Sequence, residues 1–565
     1  MSNGSVWRFK SLALIAFLSL AFSIQVQATS VNVYPSDNVQ AVVNSYGIGT
    51  TFVFTPGVYR MQSIIPKDGD IFEGQPGAIL NGSRQLNSFS RSGIYWVVGG
   101  QTQQGQTGGV CQAGYAGCEY PEDLFFNNIP LQRVETLSQV AAGKWYFDHS
   151  AAKVYFVDDP TGKTVEIGVT THAFYGSATN VTIKGLIVEK YAMPANDGAI
   201  SGRGTGWVVE SNEIRLNHGA AVRMASYEKI LKNNIHHNGQ LGLSVIGLSS
   251  GANILVQDNI IAYNNTRGFD WTWSAGGTHL AETTNLVVQG NYVHDNRGPG
   301  IWVDFENYNW LIQGNRTANN FTAGIFDELS YDGIVRYNVV QNDASFPGHA
   351  GLWWTAGIRV HASPNAQIYG NSVINCGDGI GAVSNARGSG NRGAFLVQNL
   401  SVHDNVIVQS AGSAAGAVAD STTNGGYYLN VYSTSWNNHW QSNTYKLPNS
   451  VNLYIWKGGS GYAGMDATQW QSFGQDTAGT WISSTDSTFP SAKFSANQRV
   501  YVLGSAQVWS MPTTTSTLVT TEANGAPGTV TQVAGPIRTG GNWWWNIKYD
   551  DGQQGWSEET YLQIF

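Results

Sequence analysis

Asparagine recurs through the middle of the chain in one local pattern. Asn is followed by any residue, an apolar residue, two further positions and then a polar residue. The pattern begins at Asn212, Asn233, Asn259, Asn291, Asn315, Asn338, Asn371 and Asn405, at spacings of 21, 26, 32, 24, 23, 33 and 34 residues. Gly185, in Lys184-Gly185-Leu186-Ile187-Val188, extends the series upward by 27 residues. Each unit carries β-branched and aromatic residues with period two rather than 3.6, the signature of strands. A unit of ~20–25 residues built from short strands and turns cannot bury its apolar face alone, so units must stack. The pattern therefore predicts coils of a parallel β-solenoid, with loops inserted where the spacing lengthens. The repeated Asn should stack at a bend, amide to amide, from coil to coil. A leucine-rich horseshoe needs a denser Leu pattern than this chain has.

A chain of 565 residues exceeds a single compact core, which stops growing at ~250–300 residues; an elongated solenoid escapes that limit. Charged residues make up 12 % of the chain, against ~25 % in an average soluble protein. Glycine is abundant, at 67 residues. This composition disfavours helical bundles and charged disorder. A net charge of −8 makes a phosphate-binding face, and hence a nucleic-acid partner, unexpected. Arg8 and Lys10 precede an apolar run from Leu12 to Ile24, followed by Val26-Gln27-Ala28. The run falls short of a ~20-residue span and reads as a cleaved export signal over residues 1–28. The expectation is a secreted protein, extracellular or periplasmic, without membrane attachment after cleavage. Three cysteines build no disulfide framework. Cys111 and Cys118 bracket a Gly-rich loop, where they could close a small ring. Cys376 reads as a small buried hydrophobe, and so few thiols point to no metal site.

The repeat resembles the right-handed parallel β-helix proteins of the pectate-lyase-like superfamily over roughly residues 30–450. The implied fold is all-β, with the solenoid over residues 29–450. Residues 85–175 depart from the repeat. Asp123-Leu124-Phe125-Phe126, Lys144-Trp145-Tyr146-Phe147 and Val154-Tyr155-Phe156-Val157 are hairpin-like there, similar to a small β-insertion of carbohydrate-active β-helix families. Residues 451–495 read as a final coil and linker. Residues 496–565, with Arg499-Val500-Tyr501-Val502, Gly541-Asn542-Trp543-Trp544-Trp545 and Gly555-Trp556-Ser557, resemble bacterial SH3-like barrels. That module is read either as a wall or glycan attachment device or as a folded spacer.

Alternate side chains of a strand face opposite ways, and neighbouring strands lie ~4.8 Å apart. Aligning coils on the Gly that opens each alternation pairs Gly268-Phe269-Asp270-Trp271-Thr272, Gly300-Ile301-Trp302-Val303-Asp304, Gly324-Ile325-Phe326-Asp327-Glu328 and Gly357-Ile358-Arg359-Val360-His361. Phe269, Ile301, Ile325 and Ile358 then point inward. The outward ladders are Asp270, Trp302, Phe326, Arg359 and Thr272, Asp304, Glu328, His361, with Arg223 joining the second. Asp304 and Glu328 share one register on adjacent coils, roughly 5 Å apart by the strand spacing. Retaining glycosidases set their carboxyl pair at ~5–5.5 Å, and repulsion at that distance should raise one pKa. Trp302 and Phe326 are expected as exposed rings for sugar stacking, Trp271 and Trp273 as a further subsite, and Arg359 and His361 as ligands of hydroxyls or an anion. Asp327 falls at an inward position. His279 and Glu282 read as part of an insertion that walls the groove.

The stretch Gly298-Pro299-Gly300-Ile301-Trp302-Val303-Asp304, followed by Gly324-Ile325-Phe326-Asp327-Glu328-Leu329-Ser330, resembles the active-site stretch of β-helix β-xylosidases. That resemblance implies Asp304 as nucleophile and Glu328 as acid/base, and it needs no cofactor. The SH3-like module is a departure from that family. A polysaccharide lyase or uronate epimerase is the second reading. Arg223, Arg359 and His361 would serve it, with Ca²⁺ held by Asp304 and Glu328. Lys is absent from residues 233–445, which weighs against it. A noncatalytic glycan-binding surface protein is the third. In each case the partner is a polysaccharide or oligosaccharide.

Overall fold

A computed structural model describes residues 29–246, 251–344, 353–448, 453–456, 464–483, 493–531 and 536–565. The export segment and parts of the 451–495 linker lie outside the described residues. Three long, almost wholly parallel sheets of 13, 12 and 13 strands run the length of the solenoid. Successive coils add one short strand to each. Period-two alternation fixes the register, because a slip of one residue would turn every apolar side chain outward. Ile301, Ile325, Ile358 and Ile380 are register partners on successive coils and are all buried in the core.

The asparagines stack as the repeat predicts. Each Asn backbone N–H and Nδ2 donate to Oδ1 of the next Asn, from Asn212 through Asn233, Asn259, Asn291, Asn315, Asn338, Asn371 and Asn405 to Asn443. The polar position five residues on forms a second ladder: Asn217, Asn238, Asn264, Asn296, Asn320. Both ladders end on an aspartate, Asp476 in the first and Asp343 in the second. The directionality requires this. Each rung needs an acceptor ahead of it, and the last rung has no further amide to serve, so a carboxyl, whose Oδ1 accepts there whether or not Oδ2 carries a proton, suits it.

The helix Val39–Asn44 buries Val39 and Val43 beneath the first coil's Phe52 and Phe54. The far end has a cap the sequence reading missed. The helix Ala467–Ser472, with an Asp466/Gln469 capping box, sets Trp470 against Trp440, Trp456 and Tyr454. Strands between Ser83 and Gly168 form an antiparallel sheet of four strands and a mixed sheet of five around their own core of Leu124, Trp145, Phe147, Val154 and Phe156. Residues from Arg499 to Ile564 form a separate antiparallel sheet of eight strands with a second small core. Its Ile537, Trp544 and Trp556 pack onto solenoid residues Val339, Ile374, Val406 and Val408, so this unit is fastened along the solenoid flank.

The 12-stranded sheet carries the candidate site. Its relevant strands are β1 (Ala220–Arg223), β2 (Leu241–Val245), β3 (Gly276–Ala281), β4 (Ile301–Asp304), β5 (Ile325–Glu328), β6 (Ala356–His361) and β7 (Asp378–Ser384).

Candidate active site

The register keeps the last three members of each expected ladder and corrects the members before them. Asp304 on β4 pairs with Glu328 on β5, and Glu328 with His361 on β6. Trp302, Phe326 and Arg359 likewise share a register. The coil before them is built differently from the alignment. Its strand is β3, which opens at Gly276-Gly277, not at Gly268. Ala281 is the partner of Asp304, and His279 stands beside Trp302.

The residues 268–274 are an insertion held by neighbours. Gly268 O accepts from Gln112 N–H, Asp270 N–H donates to Val110 O, and Cys111 bridges to Phe269. Phe269 is buried in a satellite cluster under the Cys111–Cys118 disulfide, not in the solenoid core. Asp270 caps the helical turn Trp271–Ser274 by accepting from Thr272 N–H at 2.8 Å, so neither Asp270 nor Thr272 is a ladder member. The turn aims its two tryptophans apart. Trp271 lines the cavity described below, whereas Trp273 packs on the disulfide cluster. Arg223 belongs to the first ladder, not the second, with Ser244 and then His279 following it. Two coils lie between it and that of Trp302, and it makes an ion pair with Asp197 at 3.9 Å.

The first ladder is a stack of flat groups. The His279 ring lies 3.9 Å from the Trp302 indole at 7°, Trp302 lies 5.4 Å from Phe326 at 14°, and the Arg359 guanidinium sits 4.6 Å from Phe326. Trp302 and Phe326 are only 3 % and 2 % exposed. The expectation of open stacking platforms is therefore corrected: each ring is covered by the next, and Trp354 closes over Phe326 and Arg359. What remains open is a small cavity of about 160 Å³ over β4–β6. Trp271, Trp354, Arg359, Glu328, His361 and Arg387 are among its walls.

The two carboxyls sit in opposite fields. Burial would lift the Glu328 pKa, but a hydrogen bond from His361 and the charges of Arg387 and Arg359 outweigh it and hold Glu328 well below the usual range. Arg387 Nη1 donates to Glu328 Oε1 at 2.5 Å, and His361 Nδ1 lies 3.1 Å from the same oxygen. Burial lowers the His361 pKa, and the neighbouring arginines reinforce it, so this imidazole is neutral at pH 7. Burial raises the Asp304 pKa and the Glu328 charge adds to it, against a lowering contact with His279. Asp304 Oδ2 lies 3.0 Å from His279 Nε2, and Asp304 Oδ1 makes no hydrogen bond among the described residues. Asp327 points inward beside Val303 and Val360, and burial pushes its carboxyl well above the ordinary value.

Sequence reasoning missed Arg387 and the place of His279. Arg387 comes from the loop after β7, held as Asn391 N–H donates to Glu306 and Tyr331 OH to Gly393 O. No repeat pattern marks such a residue. An alignment on Gly268 starts this coil too early and leaves His279 in the loop, whereas the strand Gly276–Ala281 carries it. Cys111 and Cys118 are bridged, and Cys376 is a buried free thiol whose pKa is pushed far up by burial. Ca²⁺ does not fit the pair. Such an ion takes 6–8 oxygen ligands, whereas Glu328 is pinned by Arg387 and Asp304 faces an imidazole. Among the described residues no group of three or more His, Cys, Asp or Glu is placed to hold a metal ion.

A family model described as a right handed beta helix region matches residues 198–353 and 271–407. The fold is a right-handed β-helix. A solved structure titled "The complex structure of XylC with xylose" is 14 % identical, with 84 % of this chain covering 90 % of that one at a TM-score of 0.61. A structure titled "Glycoside hydrolase" is 9 % identical, covers 70 % of this chain and 95 % of its own, and has a TM-score of 0.41. The A-module of an Azotobacter vinelandii mannuronan C-5 epimerase is 11 % identical, covers 76 % and 95 %, and scores 0.43. At these identities the likeness is one of fold. No curated protein matches the sequence.

Proposed function

We propose that this protein is an exported, cofactor-independent retaining glycoside hydrolase whose chemistry is done by Asp304 and Glu328. The carrying observation is that these two carboxyls are register partners on β4 and β5 yet sit in opposite fields. Strand neighbours lie ~4.8 Å apart, which suits the ~5–5.5 Å of a retaining pair. Hydrolysis with retention needs one carboxylate ionised as nucleophile and one carboxyl protonated as acid. The xylose bound to the structurally similar XylC is in keeping with a sugar substrate.

The charge environment supports roles opposite to those the β-xylosidase resemblance implies. Glu328, ionised between Arg387 and His361, is the nucleophile in this reading. Its carboxylate attacks the anomeric carbon and forms a glycosyl ester as the glycosidic bond breaks. Asp304 gives its proton to the departing oxygen, then recovers one from the water that opens the ester. Trp271 and Trp354 wall the cavity against water, and Arg359 holds the sugar.

The test is the protein on a panel of neutral and uronic polysaccharides, recording reducing ends and ultraviolet absorbance together. New reducing ends without absorbance, falling ~10²–10⁴-fold in Asp304→Ala and Glu328→Ala, support hydrolysis. Azide then separates the roles. A variant lacking the nucleophile yields a glycosyl azide of inverted configuration, and one lacking the acid yields the retained product. Retention from Glu328→Ala restores the roles of the resemblance.

One observation favours a second reading, a lyase or epimerase on an anionic polysaccharide. Arg359 is 2 % exposed and lines the cavity, and its Nε and Nη1 make no hydrogen bond among the described residues. A buried guanidinium in want of an acceptor suits a uronate carboxylate. Neutral His361 would be the base that takes the C5 proton. Absorbance from an unsaturated product would move the assignment there. Silence on every substrate, with glycan binding intact in both variants, would leave a binding protein. The C-terminal sheet reads as an SH3-like barrel for wall or glycan attachment, tested by retention of the full chain on insoluble wall polysaccharide.

A further inference from the structure

We infer that His279 is a positioning residue that, together with Asp304, holds a single shared proton, and that Ser274, Asn196 and Gln240 fix which ring nitrogen faces the carboxyl. The inference rests on the reading of Asp304 as the proton donor. Its geometry, however, stands without any substrate.

The chain of hydrogen bonds is directed from its far end by backbone groups, whose roles are not open to choice. Asn196 N–H donates to Gln240 Oε1 at 2.6 Å. Gln240 Nε2 donates to the Ser274 carbonyl at 2.7 Å. These two contacts fix the Gln240 amide, so its Nε2 is also the donor to Asn196 Oδ1 at 2.6 Å. Asn196 therefore presents an oxygen. Ser274 Oγ, 2.8 Å from that oxygen, must spend its one proton on it. Ser274 Oγ can then only accept from His279 Nδ1, 2.8 Å away. The Nδ1 of His279 carries hydrogen.

The consequence falls on the other ring nitrogen. In the neutral imidazole one nitrogen donates and the other accepts. With hydrogen on Nδ1, Nε2 presents a lone pair to Asp304 Oδ2 at 3.0 Å. Two lone pairs cannot hold that contact. Either Asp304 is protonated and donates to Nε2, or the proton has moved across to make an imidazolium beside a carboxylate. Both states hold the same one proton. The charged and titratable groups facing Asp304 are His279 on β3, Glu328 on β5, Arg387 from the loop after β7, and Asp327 beside Glu328. Glu328 is ionised and repels a second negative charge, which also favours retention of the proton. The stack of His279 on Trp302, with the ring 6 % exposed, prevents the imidazole from turning to offer its other nitrogen.

During hydrolysis the proton leaves the pair for the departing glycosidic oxygen. That brings the Nε2 lone pair against an ionised Oδ2, and the strain is relieved only when the proton returns from the incoming water. Ser274, Asn196 and Gln240 thus act through His279 and touch no reacting atom.

The test is long-range ¹H–¹⁵N correlation NMR on the full chain labelled with ¹⁵N-histidine, with His279→Gln assigning its signal among the 11 histidines. Between pH 5 and 8 the expected state of His279 is the Nδ1–H tautomer or the doubly protonated ring. A neutral Nε2–H tautomer in that range would overturn the inference, since Asp304 would then be an ionised acceptor. Ser274→Ala removes the acceptor of Nδ1–H and leaves a small buried side chain, so the fold should persist. It should shift His279 toward the Nε2–H tautomer. On any hydrolysed substrate it should also move the basic limb of kcat/KM down by about one pH unit, the acidic limb staying in place. An unchanged tautomer in Ser274→Ala overturns the directing role of that chain. If no substrate is hydrolysed, the proposed function fails, while the tautomer result still decides the inference.

Discussion

Asp343→Asn should make the protein more stable at neutral and alkaline pH and less dependent on pH. Asp343 ends the second asparagine ladder and is fully buried, and burial lifts its pKa to about 7 against four hydrogen bonds that lower it. Its Oδ1 accepts from Asn320 N–H and Nδ2, both at 2.8 Å, and its Oδ2 lies 2.6 Å from Thr317 Oγ1. A carboxyl whose native pKa exceeds its unfolded value of ~3.9 binds its proton more tightly in the folded chain. Stability is therefore full below pH ~4 and falls as pH rises to about 7. Roughly three pKa units at 1.36 kcal/mol each set a ceiling of ~4 kcal/mol on that loss. An amide keeps the acceptor that Asn320 needs. Its Nδ2 can donate to Thr317 Oγ1, whose hydroxyl turns to accept. We expect Asp343→Asn to gain ~2–3 kcal/mol at pH 8 and nothing, or a small loss, at pH 4. Denaturant unfolding of both proteins at pH 4, 5.5, 7 and 8 measures this as a difference curve, in which the other titrating groups cancel. A difference that is flat across that range, or that falls as pH rises, would show that Asp343 is ionised and stabilising, and the reasoning about the ladder's end would be wrong.

Three other outcomes are expected. Asn315→Ala takes the acceptor from Asn291 N–H and Nδ2 and the donor from Val288 O and Gln313 O. With at least one buried group orphaned, it should cost ~2–4 kcal/mol, read as faster amide exchange localised to that coil and its two neighbours. The Cys111–Cys118 bridge spans seven residues, so replacing both cysteines with serine should cost ~2–3 kcal/mol by the loop-closure argument. The same change should loosen the Phe269–Trp271 wall, followed by Trp fluorescence and proteolysis. Arg387→Ala removes the cation nearest to Glu328, so the acidic limb of the pH–rate profile should rise by about one unit, with little change at pH 7. If the basic limb moves instead, Glu328 is the acid.

The solenoid was legible because its cohesion demands the same residue at the same place in every coil. An amide that both donates to and accepts from its copies cannot be replaced by a similar side chain, so Asn212 through Asn405 stand out against the drift around them. The second ladder was equally regular, and lay within the same pattern at its polar position. Asp304 and Glu328 were found by the same logic, since strands without insertions keep count. Where a loop enters before the strand, counting fails. The coil between Gly268 and Ala281 holds glycines at 268, 276 and 277, and only the disulfide loop beside it shows why the first opens an insertion. That displacement put Asp270 where His279 belongs, and a separate offset of two residues, from counting the Arg223 coil at Gly219 where Ala221 holds the register, put Arg223 on the wrong ladder.

The same displacement hid the feature that separates the two carboxyls. From the sequence, Asp304 and Glu328 are equivalent members of one ladder, and repulsion alone cannot say which keeps its proton. The structure breaks the tie with groups that no repeat encodes. Arg387 reaches Glu328 from a loop two coils away, while Asp304 receives an imidazole whose hydrogen is already committed to Ser274. A regular solenoid supplies the spacing that a paired-carboxyl mechanism needs. The irregular insertions at 268–274 and 385–395 supply the difference in charge. In a fold of this kind the chemistry should be sought where an insertion leans on a ladder, and in the proposed reading the hydrogen-bond chain through Asn196, Gln240, Ser274 and His279 is what would divide two like residues into an acid and a nucleophile.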